Sequence, residues 1–304
     1  MKRQIPMKTT TRAHMAVLCT NLFFSANYSV VKFISPALVK PFALNLLRVG
    51  GSLVLFWTVW LFGKTPAMVY KKDWTRFVAC AITGVAVNQM LFIEGLTLTS
   101  TIHASLLSLA TPLVVTFFAF WILKESLTIL KAAGLALGIG GSILLILQKE
   151  PGQGATDYLT GDILILINAV SYAIYFILVK PMMEKYTPLQ VIRWIFTLGF
   201  FMMLPFGWQQ ATEINPASFQ WQQYAALFGV VVTGTFLAYY FNAYGIQYIG
   251  AGATGSYIYT QPVFAVLIAT IILRESLSWQ KAAAACLIFS GVYLVSFRKP
   301  KQDS

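Results

Sequence analysis

Asn21, Ser25, Tyr28 and Lys32 recur at steps of three and four, a spacing that sets them on one face of a helix. Asn168, Ser171, Tyr172 and Tyr175 repeat the pattern about 147 positions later. Asn88 and Gln89 sit deep in another apolar run, as do Tyr239 and Asn242 in a later one, and Tyr244, Tyr257, Tyr259 and Gln261 add phenols and an amide. Amides and phenols together suit an amphipathic or zwitterionic solute, whose apolar part lies on rings while its polar ends find hydrogen bonds. The same groups also tie helices together, and aromatic residues collect at membrane interfaces. We take Asn21, Ser25, Tyr28, Asn88, Gln89, Asn168, Tyr172, Tyr175, Tyr239, Asn242, Tyr259 and Gln261 as the candidate substrate-binding set, with helix–helix packing as the competing reading.

Catalysis finds little support. The only histidines are His14 and His103, and neither HExxH nor GxSxG occurs, so a clustered nucleophile, base or metal set is lacking. No GxxxxGK[ST] loop is present to hold a nucleotide. We therefore expect no catalytic residue, no metal and no cofactor. Glu94 is read as the carboxylate inside a membrane run, and His103 opens the next helix across the uncharged stretch from Thr97 to Thr101. The pair is a candidate gating or coupling site, with protons as the coupling ion. In the blander reading Glu94 reaches headgroup water and His103 packs or caps. Pro112 and Pro262 are read as mid-helix prolines that kink their helices and could serve as pivots. Arg48 and Arg193 lie close enough to helix ends to snorkel, with anion binding as the alternative. Glu125 and Glu275, beside Lys124 and Arg274, read as helix caps or local ion pairs.

The elements that must position these groups follow from composition. Of 304 residues, 58% are hydrophobic and only 11% charged, against about 25% charged in a soluble domain. A water-soluble globule is excluded. The formal charge of +12 does not signal nucleic acid, because the charges punctuate apolar runs rather than gather on one solvated face. Cys19, Cys80 and Cys286 each sit in an apolar run, which removes a disulfide framework and reads as packing. Crossing a bilayer takes about 20 apolar residues, and the runs are continuous, which requires helices. We place ten spans near 13–33, 42–62, 76–96, 102–123, 128–148, 161–181, 189–208, 222–246, 252–273 and 279–297. The basic stretch with Lys2, Arg3, Lys8 and Arg12 precedes the first, which reads as an uncleaved span rather than a signal peptide. Lysine and arginine fall mostly on the face that holds both termini, which places the termini in the cytoplasm.

The chain also repeats itself. At an offset of about 150, Gly84 falls on Gly234, Gly95 on Gly245, Pro112 on Pro262, Glu125-Ser126-Leu127 on Glu275-Ser276-Leu277, and Gly141 on Gly291. Lys32 matches Lys180 and Arg48 matches Arg193 at slightly smaller offsets. The repeat spans five helices, an odd number, so equivalent segments cross in opposite directions. The expected fold is an all-α integral membrane protein of about ten transmembrane helices in two inverted-topology five-helix repeats. The first repeat covers 1–148, a linker 149–160, and the second repeat 161–304.

The stretch from Gly95 to Leu107, followed by Thr111-Pro112 and Leu123-Lys124-Glu125-Ser126-Leu127, and its echo from Gly245 to Gln261-Pro262 and Leu273-Arg274-Glu275-Ser276-Leu277, resembles the drug/metabolite transporter superfamily, specifically the EamA-type ten-helix transporters. The resemblance covers essentially the whole chain. It implies membrane transport, usually export of amino acids, metabolites or drugs, through a cavity lined by the first, third, fourth, sixth, eighth and ninth helices. Glu94 and His103 depart from the common pattern, in which uncharged residues are more frequent. The expectation is a secondary transporter working by alternating access in a bacterial cytoplasmic membrane, with the lipid bilayer and a small-molecule substrate as partners and a monomer sufficient. The alternatives are a flippase for lipids or lipid-linked intermediates and, further off, an intramembrane enzyme.

Overall fold

A computed structural model describes residues 7–63, 68–123, 128–147 and 156–296. The pair Lys124 and Glu125, the basic residues Lys2, Arg3, Arg298, Lys299 and Lys301 at the chain ends and most of the expected linker lie outside the described residues.

Among the described residues, continuous apolar runs become ten helical rods. They are α1 (Met7–Ile34), α2 (Pro41–Phe62), α3 (Lys71–Leu98), α4 (Thr101–Leu107 continued by Ala110–Leu123), α5 (Ile129–Ile146), α6 (Tyr158–Lys185), α7 (Pro188–Thr212), α8 (Trp221–Gly250), α9 (Ala253–Leu273) and α10 (Trp279–Ser296). These match the ten expected spans, with α6 starting at Tyr158, inside the expected linker. Among the described residues, eight helices are long and apolar enough to cross a membrane on length and composition alone, and Thr101–Val114 is a shorter apolar one. A turn at Ser108–Leu109 interrupts α4 between its two helical parts. In α10 the first turn, Trp279-Gln280-Lys281, dilutes an otherwise apolar helix.

Local chemistry sets the helix ends. The side chains of Ser100, Thr128, Asp157 and Thr187 each accept from a backbone N–H three residues on, which satisfies donors that a helix start leaves open. Pro41 and Pro188 stand in the first turns of α2 and α7, where a missing N–H costs nothing. Between α8 and α9 the chain turns at Gly250, whose φ of 85° and ψ of 157° suit a residue without Cβ.

The packing displays the inverted repeat. α1 lies on α8 and α3 on α6, which are equivalent pairs once the halves are exchanged. α4 on α6 and α1 on α9 are a second such set, while α2 on α7 and α5 on α10 join each helix to its own counterpart. Small residues permit this closeness. A Cβ on Gly291 would lie 2.5 Å from the Gly134 carbonyl and from the Gly138 amide nitrogen, so α5 and α10 meet backbone to backbone. Gly84 and Gly234 are matched in the repeat, and a Cβ on either would collide with Tyr175 of α6 or Asn27 of α1 respectively. Both glycines sit in π-turns, Ile82–Ala86 and Val232–Leu237, local widenings that often mark functional helices.

The outside is apolar: Phe62 and Ile129 are 88% exposed, and Ile271, Trp279 and Trp221 also face outward. The inside holds Arg48, Arg193, Lys281, Asp162 and His103. That inversion of soluble-protein burial is what a hydrocarbon surround produces. The cysteines are unpaired, with Cys80 in the core and Cys286 on the surface, so packing accounts for Cys80 but not for Cys286.

Candidate functional site

A cavity lies between the two repeats. Tyr28, Phe24 and Asn27 come from α1, Arg48 from α2, Asn88, Gln89 and Phe92 from α3, and Ser108 and Thr111 from α4. The second half supplies Asn168 and Tyr172 from α6, Tyr239 from α8, and Ile258 and Gln261 from α9. About 70 Å³ admits the centre of a water-sized sphere, and one water needs roughly 10–15 Å³. The space therefore takes several waters or a small solute.

The polar lining is connected. Gln89 donates to the Tyr239 hydroxyl in a very short contact, and Tyr239 in turn points at Asn88 Oδ1 at 3.5 Å. Asn242 Nδ2 donates to the Tyr172 hydroxyl at 2.9 Å. Ser108 donates to the Ala104 carbonyl, so the 2.9 Å contact between Tyr28 and Ser108 is donated by the phenol. Rings complete the walls: Tyr28 meets Phe92 edge-on at 5.2 Å, and Phe24 meets Tyr239 at 5.6 Å.

Of the residues expected to bind substrate, Tyr28, Asn88, Gln89, Asn168, Tyr172, Tyr239 and Gln261 line this cavity. The rest sit behind it. Asn21 Oδ1 accepts from Gln261 Nε2 at 2.8 Å and Ser25 Oγ donates to the Gln261 carbonyl at 2.9 Å, which ties α1 to α9. In the other half Asn168 Nδ2 donates to the Asn88 carbonyl and Ser171 Oγ to the Thr83 carbonyl, both at 2.8 Å. The polar stripes thus serve both as cavity wall and as helix glue. Tyr175 stacks on Tyr172 at 5.7 Å, Asn242 orients Tyr172 from behind, and Tyr259 is half-buried against the apolar core.

Three expectations are corrected. His103 does not pair with Glu94: its Nδ1 lies 2.9 Å from Asp162 Oδ2, with both side chains 0% exposed, and Thr99 Oγ1 donates to Asp162 Oδ1 at 2.5 Å. Glu94 is half-buried on α3, and among the described residues the membrane carboxylate that is fully buried is Asp162. Pro112 and Pro262 are not mid-helix. In each half the helix breaks just before the proline, as a turn at Ser108–Leu109 and as the 3-10 segment Tyr257–Thr260, so each ring falls in a first helical turn. Arg48 and Arg193 do not snorkel: they are 1% and 0% exposed. The Arg193 guanidinium carbon lies 4.6, 4.2 and 5.5 Å from the ring centres of Trp57, Trp60 and Trp194.

Polar ties bracket the cavity. At the α3–α4 end, Glu275 accepts from the amides of Thr101 and Ile102 at 3.0 and 3.1 Å, capping α4 from the α9–α10 connection. At the α6–α7 end, Asp73 accepts from Lys185 Nζ at 3.1 Å and from the Tyr186 hydroxyl at 2.7 Å. Burial and the Asp73 carboxylate push the Tyr186 phenol up, while donation from Thr160 holds the Asp157 carboxyl below its usual range.

Sequence reading gave Arg48 anion binding only as the alternative to snorkelling and missed Asp162 altogether. The signal for Arg48 was its place seven residues inside α2, roughly 10 Å along a helix rising 1.5 Å per residue. Asp162 lay within the run assigned to the sixth span.

Among the described residues, ten helices in two inverted halves around a central cavity with a polar lining define a membrane transporter fold. The chain belongs to the EamA-like transporter family, which matches residues 11–147 and 159–297, one repeat each. It is 24% identical over 292 residues to an uncharacterized transporter of Archaeoglobus fulgidus, covering 95% of this chain and 99% of that one. It is likewise 24% identical to the uncharacterized transporter YetK of Bacillus subtilis, over 83% of this chain and 77% of that protein. A solved crystal structure shares the fold with a TM-score of 0.58 and 17% identity, over 94% of this chain and 96% of its own.

Proposed function

We propose that the protein is a secondary transporter, an exporter of small amphipathic metabolites, amino acids or drugs, that works by alternating access at the central cavity. One observation carries the reading: a buried cavity lined by amides, phenols and rings from both repeats. Inversion makes two-sided access economical, since exchanging the conformations of the two halves turns an opening at one end into an opening at the other. The matched breaks before Pro112 and Pro262 and the matched π-turns around Gly84 and Gly234 are the places where such an exchange would bend. The relatives named as transporters support transport rather than catalysis.

The proposal puts both termini on the cytoplasmic side of a bacterial inner membrane, a reading supported by Lys71, Lys72, Arg76, Lys180 and Lys185 near the α6–α7 end. Protons are the proposed coupling ion, with the buried His103–Asp162 pair, flanked by Tyr158 and Glu275, replacing Glu94 as the place they would act. The test is uptake of a labelled solute panel by proteoliposomes, with and without an imposed pH gradient. Saturable uptake lost in Asn88→Ala/Tyr239→Ala supports the reading.

A second reading has its own observation. Arg12, Met15, Cys19, Tyr240, Phe241 and Tyr244 border a largely apolar groove of about 630 Å³ between α1 and α8, a shape suited to a lipid chain. Scrambling of fluorescent lipids without uptake of any solute would favour the flippase.

A further inference from the structure

Arg48 is the only charged residue among the described residues that line the central cavity. Its Nε donates to Thr235 Oγ1 at 3.0 Å and its Nη2 to the Gly234 carbonyl at 3.5 Å, both neutral acceptors in the π-turn of α8. Its Nη1 is buried with no hydrogen-bond partner. Among the described residues no carboxylate comes within ion-pair distance of it. A guanidinium at this depth is costly unless something pairs with it.

The other repeat holds the same residue away from the cavity. Arg193, the counterpart of Arg48, is covered by the indoles of Trp57, Trp60 and Trp194, an aromatic cage that supplies cation–π attraction. Arg48 has no such cage and faces the cavity instead. A second unpaired atom, Asn27 Oδ1, is also buried in the lining and lies beside Gly234. This Oδ1 is an acceptor and offers a carboxylate nothing, so the unsatisfied donor on this wall is Arg48 Nη1.

We propose that Arg48 is a carboxylate-binding site, so that the solute is a small monoanion or zwitterion whose carboxylate seats on the free Nη1 edge. Its apolar body lies against Phe24, Tyr28 and Phe92. A planar fork of N–H donors matches a carboxylate, and a single cation balances one negative charge, which a phosphate dianion would exceed. This inference rests on the transport reading above.

The test uses matched pairs in proteoliposomes: radiolabelled phenylpropionate against phenylpropanamide, and leucine against leucinamide, each corrected for protein-free vesicles. The wild-type protein should take up the carboxylate member about tenfold better or more, as expected for a charge-assisted hydrogen bond. Arg48→Gln should bring that ratio close to one, and Arg48→Lys should recover part of it. A structural role for Arg48 would lower both members together and leave the ratio unchanged. If Arg48→Gln does not elute as a monodisperse species, the wild-type ratio and Arg48→Lys decide the matter. Saturable uptake with a wild-type ratio near one, or a ratio that survives Arg48→Gln, overturns the carboxylate site and leaves transport standing. Uptake of none of the four overturns the carboxylate site, and it overturns transport as well if neutral and cationic solutes of a wider panel also fail.

Discussion

Removing the Asp162 carboxylate should destabilise the bundle through two neighbours at once. Asp162 and His103 are 0% exposed, joined at 2.9 Å, and Thr99 donates to the second carboxylate oxygen at 2.5 Å. Asp162→Ala strands a buried imidazole nitrogen and a buried hydroxyl. In water-soluble proteins, breaking a buried ionic pair costs about 3–5 kcal/mol. In bilayers, interhelical hydrogen bonds average only about 0.6 kcal/mol and reach about 1.7, because the unfolded helices still find partners in the membrane. The second scale governs here, since α3, α4 and α6 persist as helices after they separate. Two bonds then predict a loss of about 1–3 kcal/mol for Asp162→Ala, with less for Asp162→Asn, which keeps one acceptor. The assay is a double-mutant cycle with His103→Ala, followed by denaturation in mixed micelles. A His103–Asp162 coupling of about 0.5–1.5 kcal/mol is expected. A coupling indistinguishable from zero, with each single variant unaffected, would refute the claim that this pair holds α4 to α6.

Gly291→Ala should cost about 1–3 kcal/mol by overpacking, because the new methyl meets the backbone of Gly134 and Gly138 at 2.5 Å; thermal unfolding in detergent reads it, and an unchanged midpoint contradicts the close approach of α5 and α10. Glu275→Ala should cost about 1–2 kcal/mol through loss of the cap on α4, with faster amide exchange at Thr101 and Ile102 as the local signature. Arg193→Lys should lose about 1 kcal/mol, since an ammonium cannot lie flat against the three indoles, and a change in tryptophan fluorescence should accompany it. By contrast Glu213→Gln should shift stability by no more than about 0.5 kcal/mol. Its partner Lys40 and Glu213 itself are 55% and 45% exposed, and even that small effect should fade in molar salt.

The helices were legible because a bilayer imposes length and continuity on every run. α2 was expected over 42–62 and forms over Pro41–Phe62, and α9 and α10 begin and end within a residue of expectation. Interruptions were harder to read. A proline in an apolar run suggests a kink at the proline, yet both helices break just ahead of it, at Ser108–Leu109 and at Tyr257–Thr260. Each ring is then accommodated in a first turn, where no acceptor loses a donor. The π-turns gave a fainter sign, since Gly84 and Gly234 were visible as matched glycines but not as the points where Tyr175 and Asn27 press against the backbone.

The candidate site was legible to the extent that one helix face determines it. Periodicity put Asn21, Ser25 and Tyr28 on one stripe of α1, and they do share that stripe, but Tyr28 reaches the cavity while the first two bond α9. Spacing along a helix says which residues point together and leaves open which neighbour they meet. Charge followed the same logic. Glu94 and His103 are nearest in sequence across the α3–α4 connection, so they were paired; three-dimensional packing brings α6 closer, and Asp162 takes the histidine. Matched sequence positions also conceal different roles. Arg48 and Arg193 correspond in the repeat, yet Trp57, Trp60 and Trp194 surround one and the cavity receives the other. An inverted repeat is thus symmetric in its backbone and asymmetric in its chemistry. For that reason the departures from symmetry, Arg48 above all, point to the solute more sharply than the features the two halves share.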